Sequence, residues 1–234
     1  MSASYSGAPM ADDISTYRER RGLAASYTLC ALASLTLLAS HPSGATGSFA
    51  ALLKNEASHQ FIDGLVHGGF IVTLVALIIC FVFLSRLLGT ARAPVVIGLV
   101  CFCTGCSVLI ASMVLDGFAT PAIAVRFADA SDLQPAKTLL ILFGTLIGFF
   151  MPMGVLFQSV AMLSWSSVIV KGPGSRRAVG ALGVAAAFSL IVAIFAVPAV
   201  MAAHVVVGAV VLQSIWYLAI AALLFKGSWP NADG

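Results

Sequence analysis

Residues 57–89 read ASHQFIDGLVHGGFIVTLVALIICFVFLSRLLG. Between His67 and Arg86 there is no Asp, Glu, Lys, Arg or His. About 20 apolar residues in a helix cross the hydrocarbon of a bilayer, so this stretch predicts a membrane-spanning helix. A membrane strand would instead alternate over about ten residues. The outer end of the span carries His59, Asp63 and His67, four residues apart, and helical periodicity stacks them along one face.

The rest of the chain repeats the pattern. Of the 234 residues, 60% are hydrophobic and 9% charged, with a mean hydropathy of +1.05. Soluble domains carry about 25% charged residues, so the class is an integral membrane protein. Apolar runs predict six spans: residues 23–40, 57–89, 94–115, 138–165, 178–196 and 203–225. The expected fold is therefore all-α, a polytopic membrane bundle of six transmembrane helices in contact with the lipid bilayer. Residues 1–22 form a cytoplasmic N-terminal tail, 23–226 the membrane domain, and 227–234 a cytoplasmic C-terminal tail. The first apolar run exceeds the 7–15 residues usual for a signal peptide, which favours an uncleaved span. A short interfacial helix is expected at Phe49–Leu53, and Pro152 should bend the fourth span. A loop is expected after Asp116, holding Arg126, Asp129, Asp132 and Lys137.

Orientation follows from the basic residues. With the N-terminus inside, Arg18, Arg20, Arg21, Arg86, Arg92, Lys171, Arg176, Arg177 and Lys226 all fall on the cytoplasmic side. Only Lys54, Arg126 and Lys137 fall outside, as the positive-inside rule demands. The net charge of +3 reflects these loops. No basic patch is interleaved with aromatic residues, which excludes a nucleic-acid partner. The five cysteines lie within predicted spans and give no disulfide framework. Cys101, Cys103 and Cys106 read as small packing residues. Gln158 and Gln213 read as interhelical hydrogen-bonding groups. Trp165 and Trp229 are expected at the inner interface and Trp216 in a packed mid-helix position.

Depth counts bring three polar groups to one level. About 20 residues back from Arg86 lies Val66, beside His67; the same count back from Lys226 reaches Val206, beside His204. Counting forward from Pro94 reaches Val114, beside Asp116. Ionisable groups near the hydrocarbon face the bundle interior and pair with one another. Asp63, His67, Asp116 and His204 are thus the candidate metal ligands of a pocket on the outer face. Two imidazoles and two carboxylates suit zinc or another divalent transition metal. The alternative cofactor is haem, held axially by His67 and His204. Gly64, Gly68, Gly69 and Gly208 leave room for a flat ring or for close helix packing. The bland alternative is a structural role, with these groups bonded to water, headgroups or each other.

Three short motifs carry a resemblance: Val66-His67-Gly68, then Asp116-Gly117-Phe118 with Pro121 and Ala124, then His204 with Gln213 and Trp216. Over residues 55–226 the chain resembles a group of six-span bacterial inner-membrane proteins known mainly as hypothetical proteins. The resemblance implies that location and brings no activity with it. The alkaline ceramidase type of membrane hydrolase also uses His and Asp around zinc, but carries a His-x-x-x-His pair on a late helix; Gly208 stands at that position after His204.

The leading expectation is a binding or accessory membrane protein whose outer pocket takes a small molecule or metal ion. The enzyme alternative is a metal-dependent hydrolase or oxidoreductase using the same four residues, one carboxylate activating water. A small-solute permease is the third class. The pattern names no catalytic residue.

Overall fold

The computed structural model describes residues 9–41, 47–196 and 202–227. Its order is α1 Pro9–Ala39, α2 Phe49–Leu88, α3 Ala93–Val114, a π-helical turn Leu115–Ala119, α4 Thr120–Phe127, α5 Gln134–Ile169, α6 Ser175–Ala196 and α7 Ala202–Phe225. Among the described residues, six helices are long and apolar enough to cross a membrane, with α3, the π-turn and α4 counting as one. The expected all-α architecture is present, with six helices of the length and apolarity a membrane span requires. Residues 1–8 of the N-terminal tail, Pro42 and Gly44 of the first loop, Pro198, and Trp229 with most of the C-terminal tail lie outside the described residues.

Local chemistry sets the helix ends. Ser48 caps α2 by accepting the Ala51 N–H at 3.3 Å. At the other end Gly89 takes φ +91°, a conformation that favours glycine, and donates its N–H to Arg86 O. Pro94 and Pro135 stand in the first turns of α3 and α5, where a missing N–H costs nothing. Within the spans, Ser and Thr hydroxyls such as Thr73, Thr145 and Ser159 donate to the carbonyl four residues back. This satisfies a polar group where lipid offers no partner.

Three boundaries differ from the sequence reading. The interfacial helix at Phe49 is not separate; it runs without a break into the span, making α2 40 residues long. Its polar positions 54–60 are helical because Leu53 packs against Ala124 and Ala136, a small second core beyond the main bundle. Lys54 also lies 3.4 Å from Asp129 there. The chain after Asp116 first continues as the π-turn and α4, which takes Arg126; Asp129 and Asp132 do lie in the loop that follows, and Lys137 belongs to α5. The helix α5 begins at Gln134, earlier than expected, and continues through Pro152.

The exposed face of α2 is apolar from Phe61 through Leu65, Val72, Val75 and Ile79. That lipid-compatible stripe reaches about five residues beyond the depth count from Arg86. His67 therefore lies about 9 Å along the helix inside its apolar limit, at 1.5 Å per residue. A polar group at that depth has to face inward, and His67 is buried.

The basic ends of the helices enclose an aromatic core. Phe81 stacks on Trp165 with ring centroids 4.3 Å apart and planes 5° apart, and touches Phe102, Tyr27, Trp216 and Tyr217. Trp165 is fully buried and its Nε1 donates to Ser85 Oγ at 3.1 Å. It is a core residue joining α5 to α2, not the interfacial anchor expected from its place near the helix end. Gly98 makes room for it, since a Cβ there would press on the indole. Gly105 and Gly154 likewise let α3 and α5 approach backbone to backbone.

Candidate functional site

His67 is fixed from three sides. Its own helix supplies the first constraint: Nδ1 lies 2.9 Å from the Asp63 carbonyl oxygen, one turn back. A carbonyl can only accept, so Nδ1 carries the proton and donates. The second is the π-turn, which presents Asp116 Oδ2 at 3.2 Å from His67 Nε2. The third is Gly117, against whose Cα the imidazole packs; a Cβ there would collide with His67 Cβ and Cγ.

The π-turn has a local cause. Pro121 follows it and has no N–H to give the Gly117 carbonyl, and in a regular α-helix its ring would clash with that oxygen. The widened turn, closed by Thr120 N–H to Leu115 O, relieves both problems. It also points Asp116 at α2. Single π-turns within α-helices recur at functional sites for this kind of re-aiming.

A third side chain completes the cluster. His41 follows the end of α1, and its ring stands edge-on to that of His67 with centroids 5.1 Å apart. One ligand atom each from His41, His67 and Asp116 lie within 4.8 Å of one another. The side chain of His67 is 3% exposed and that of Asp116 35%; His41 is exposed. The cluster thus runs from the bundle interior to its surface.

The four sequence candidates separate. His67 and Asp116 meet. Asp63 is buried and contributes its main-chain carbonyl to the site. His204 is exposed at the start of α7 and stands outside the cluster. The reason is helical phase. The α7 face toward the interior carries Val206, Val210, Gln213 and Tyr217; at about 100° per residue His204 points roughly 150° away from it. His67 and His204 consequently do not face a common gap, and the axial haem arrangement has no place here. Gly64 and Gly68 lie under Phe118, and Gly69 under Leu37, so these glycines serve close packing. His59 is half-buried, its Nδ1 bonded to Asn55 O at 2.8 Å. His41 was the residue missed. Its signal was available: it directly follows the first span, which ends at the level where the second begins.

Below the cluster a cavity of about 440 Å³ opens into the bundle. His67 and Asp116 line its upper part, Leu74, Leu109 and Val155 wall it, and Gln213 and Ser214 also line it, further along the bundle. Gln158, also on its wall, donates from Nε2 to Cys106 Sγ at 3.4 Å, the interhelical bond expected of it. Gln213 differs: its buried Nε2 has no protein acceptor. All five cysteines are free thiols.

The electrostatics of the His67–Asp116 contact are specific. With Nδ1 protonated, a neutral His67 turns its Nε2 lone pair toward a carboxylate oxygen. Two lone pairs at 3.2 Å repel unless a positive centre sits between them. That centre is a proton or a metal ion. Fold and site together define an all-helical chain with six helices apolar enough to cross a membrane and an imidazole–carboxylate cluster that lines an internal cavity. No protein-family model, curated protein or solved structure matches the chain.

Proposed function

We propose that this is a multi-pass bacterial inner-membrane protein with both termini in the cytoplasm. In this reading it binds one divalent transition-metal ion of the zinc type between His41, His67 and Asp116 on its outer side. One observation carries the metal reading: His67 gives its Nδ1 proton to a main-chain carbonyl and aims Nε2 at Asp116. Metal-ligating histidines are oriented in this way, the second nitrogen donating to a carbonyl or carboxylate. Donors bound at 2.0–2.2 Å to one tetrahedral ion stand about 3.3–3.6 Å apart. The present spread of up to 4.8 Å closes with a small movement of the exposed His41.

Three protein ligands would leave one position of a tetrahedral ion open, the arrangement of catalytic rather than structural sites. That openness, beside a cavity, favours a metal-dependent membrane enzyme as the second reading. A bound ion would there acidify water or polarise a carbonyl.

The test is a cobalt titration of the purified protein, read by visible absorption, with metal content measured beforehand by mass spectrometry. One ion per chain is expected. His41→Ala and Asp116→Asn should each weaken cobalt binding roughly tenfold or more, and His204→Ala should leave it unchanged. Acidification should also weaken binding, because protons compete for the imidazole nitrogens. Cobalt binding that ignores His41→Ala, or no ligand-field spectrum at excess cobalt, overturns the metal reading and leaves a proton between His67 and Asp116.

A further inference from the structure

The far end of the cavity carries a second polar feature that the metal cluster does not use. Gln213 is 8% exposed and Ser214 1%. Both line the cavity, and among the described residues neither the Gln213 amide nitrogen nor the Ser214 hydroxyl has a partner. A buried donor left without an acceptor costs about 1–3 kcal/mol, and more in an apolar surround. Two adjacent donors in that condition, both on a cavity wall, describe a place prepared for an acceptor.

The depth of this place follows from the helices. Tyr217 touches Phe81, ring centroids 5.5 Å apart. Phe81 lies about 21 Å along α2 from His67, and Gln213 about 6 Å above Tyr217, at 1.5 Å rise per residue. The Gln213 donors therefore stand about 15 Å below His67 on this count. Between the two ends the wall is mainly apolar, formed by Leu74, Leu77, Leu109, Met113 and Val155, with Ser34 a polar exception. Among the described residues no Lys or Arg lines the cavity, so its deep end suits a neutral acceptor better than an anion. The volume falls within the 300–1,000 Å³ usual for small-molecule pockets.

We propose that this cavity binds a neutral, lipid-soluble molecule that enters carbonyl first and accepts hydrogen bonds from Gln213 and Ser214, its apolar body filling the wall toward His67. A phospholipid acyl chain would bring only a terminal methyl group to the same point and leave both donors unmet, so the acceptor decides the class. The site stands independently of the metal reading, since the two polar ends are separated by most of the cavity.

The probes are methyl decyl ketone and dodecane, which differ by one carbonyl oxygen. Binding to the full-length protein in lipid nanodiscs is read as the ligand-induced rise in Tm across a concentration series, with a chelator present throughout. The ketone should bind roughly five- to tenfold more tightly than the hydrocarbon, as one or two neutral hydrogen bonds allow. Gln213→Leu should remove most of that preference while raising the Tm of the unliganded protein, because it deletes an unmet donor. The proposal is overturned by equal affinities for ketone and dodecane in the wild type, a comparison that needs no variant. It is equally overturned if Gln213→Leu keeps the full preference. Because metal is stripped in every arm, a negative result here does not bear on the cobalt titration, nor that titration on this.

Discussion

Gly117 illustrates how one residue governs the cluster. Its lack of a Cβ lets the π-turn sit on the imidazole of His67. Gly117→Ala adds a methyl group where the ring stands, and overpacking of this kind costs about 1–3 kcal/mol. Thermal unfolding should show that loss, and cobalt affinity should fall with it, because the ring cannot keep both Asp63 O and Asp116 as partners after moving. Gly144→Ala is the control: a Cβ there meets nothing within 4 Å, so neither measurement should change. The sequence offered His67 and Asp116 through depth and chemistry. It gave no reason to single out Gly117, whose role exists only once two helices touch. The same limit explains His204: its level along the span is readable from residue numbers, but its direction around the helix depends on which face of α7 the bundle buries.

At the scale of the element, the π-turn links two dockings. Upstream of it α3 packs on α5 through Gly98 and Gly105, and downstream α4 packs on α2 through Ala124 and Leu53. A π-turn holds one residue more than the regular helix it interrupts. Deleting Phe118 removes the extra residue of the turn and rotates whatever follows by about 100°, so Asp116 and Ala124 could not both keep their partners. The deletion is expected to lower Tm and to weaken cobalt binding roughly tenfold or more, whereas Phe118→Leu, which keeps the length, should retain cobalt affinity within about twofold. A deletion variant that binds cobalt like the wild type would show that the turn does not position Asp116. The expectation of a loop directly after Asp116 failed for a related reason. Asp-Gly and Pro read locally as breakers, but packing against α2 keeps the backbone helical through them.

For the whole molecule, the charge asymmetry is the feature with the most direct test. Reporter fusions after Gly89 and Lys226 should report the cytoplasm, and a fusion after Ala130 the outer side. The reverse pattern would place the metal cluster on the cytoplasmic face and withdraw the outer-pocket reading. The architecture divides accordingly. One end, bounded by Arg86, Arg92 and Lys171, is filled by Phe81, Trp165, Trp216 and their neighbours. Toward the other end the bundle leaves a cavity lined by ionisable groups. Stability and the candidate chemistry thus occupy different depths, so changes at the site should perturb the aromatic core little.

The sequence by itself determined the all-α class, the number of helices long and apolar enough to cross a membrane, and the common level of His67 and Asp116. These depend on local quantities: the length of each apolar run against the thickness of hydrocarbon, and the sign of the charges that end it. It also identified His67 and Asp116, because ionisable groups within apolar spans are rare enough to stand out. The tertiary structure alone decided which candidates meet. Helix rotation and close approach set that Asp116 reaches His67, that His41 joins them, that His204 faces away and that Trp165 lies in the core. Those are properties of pairs of helices, fixed by where glycines allow contact and by one widened turn, and no single span encodes them.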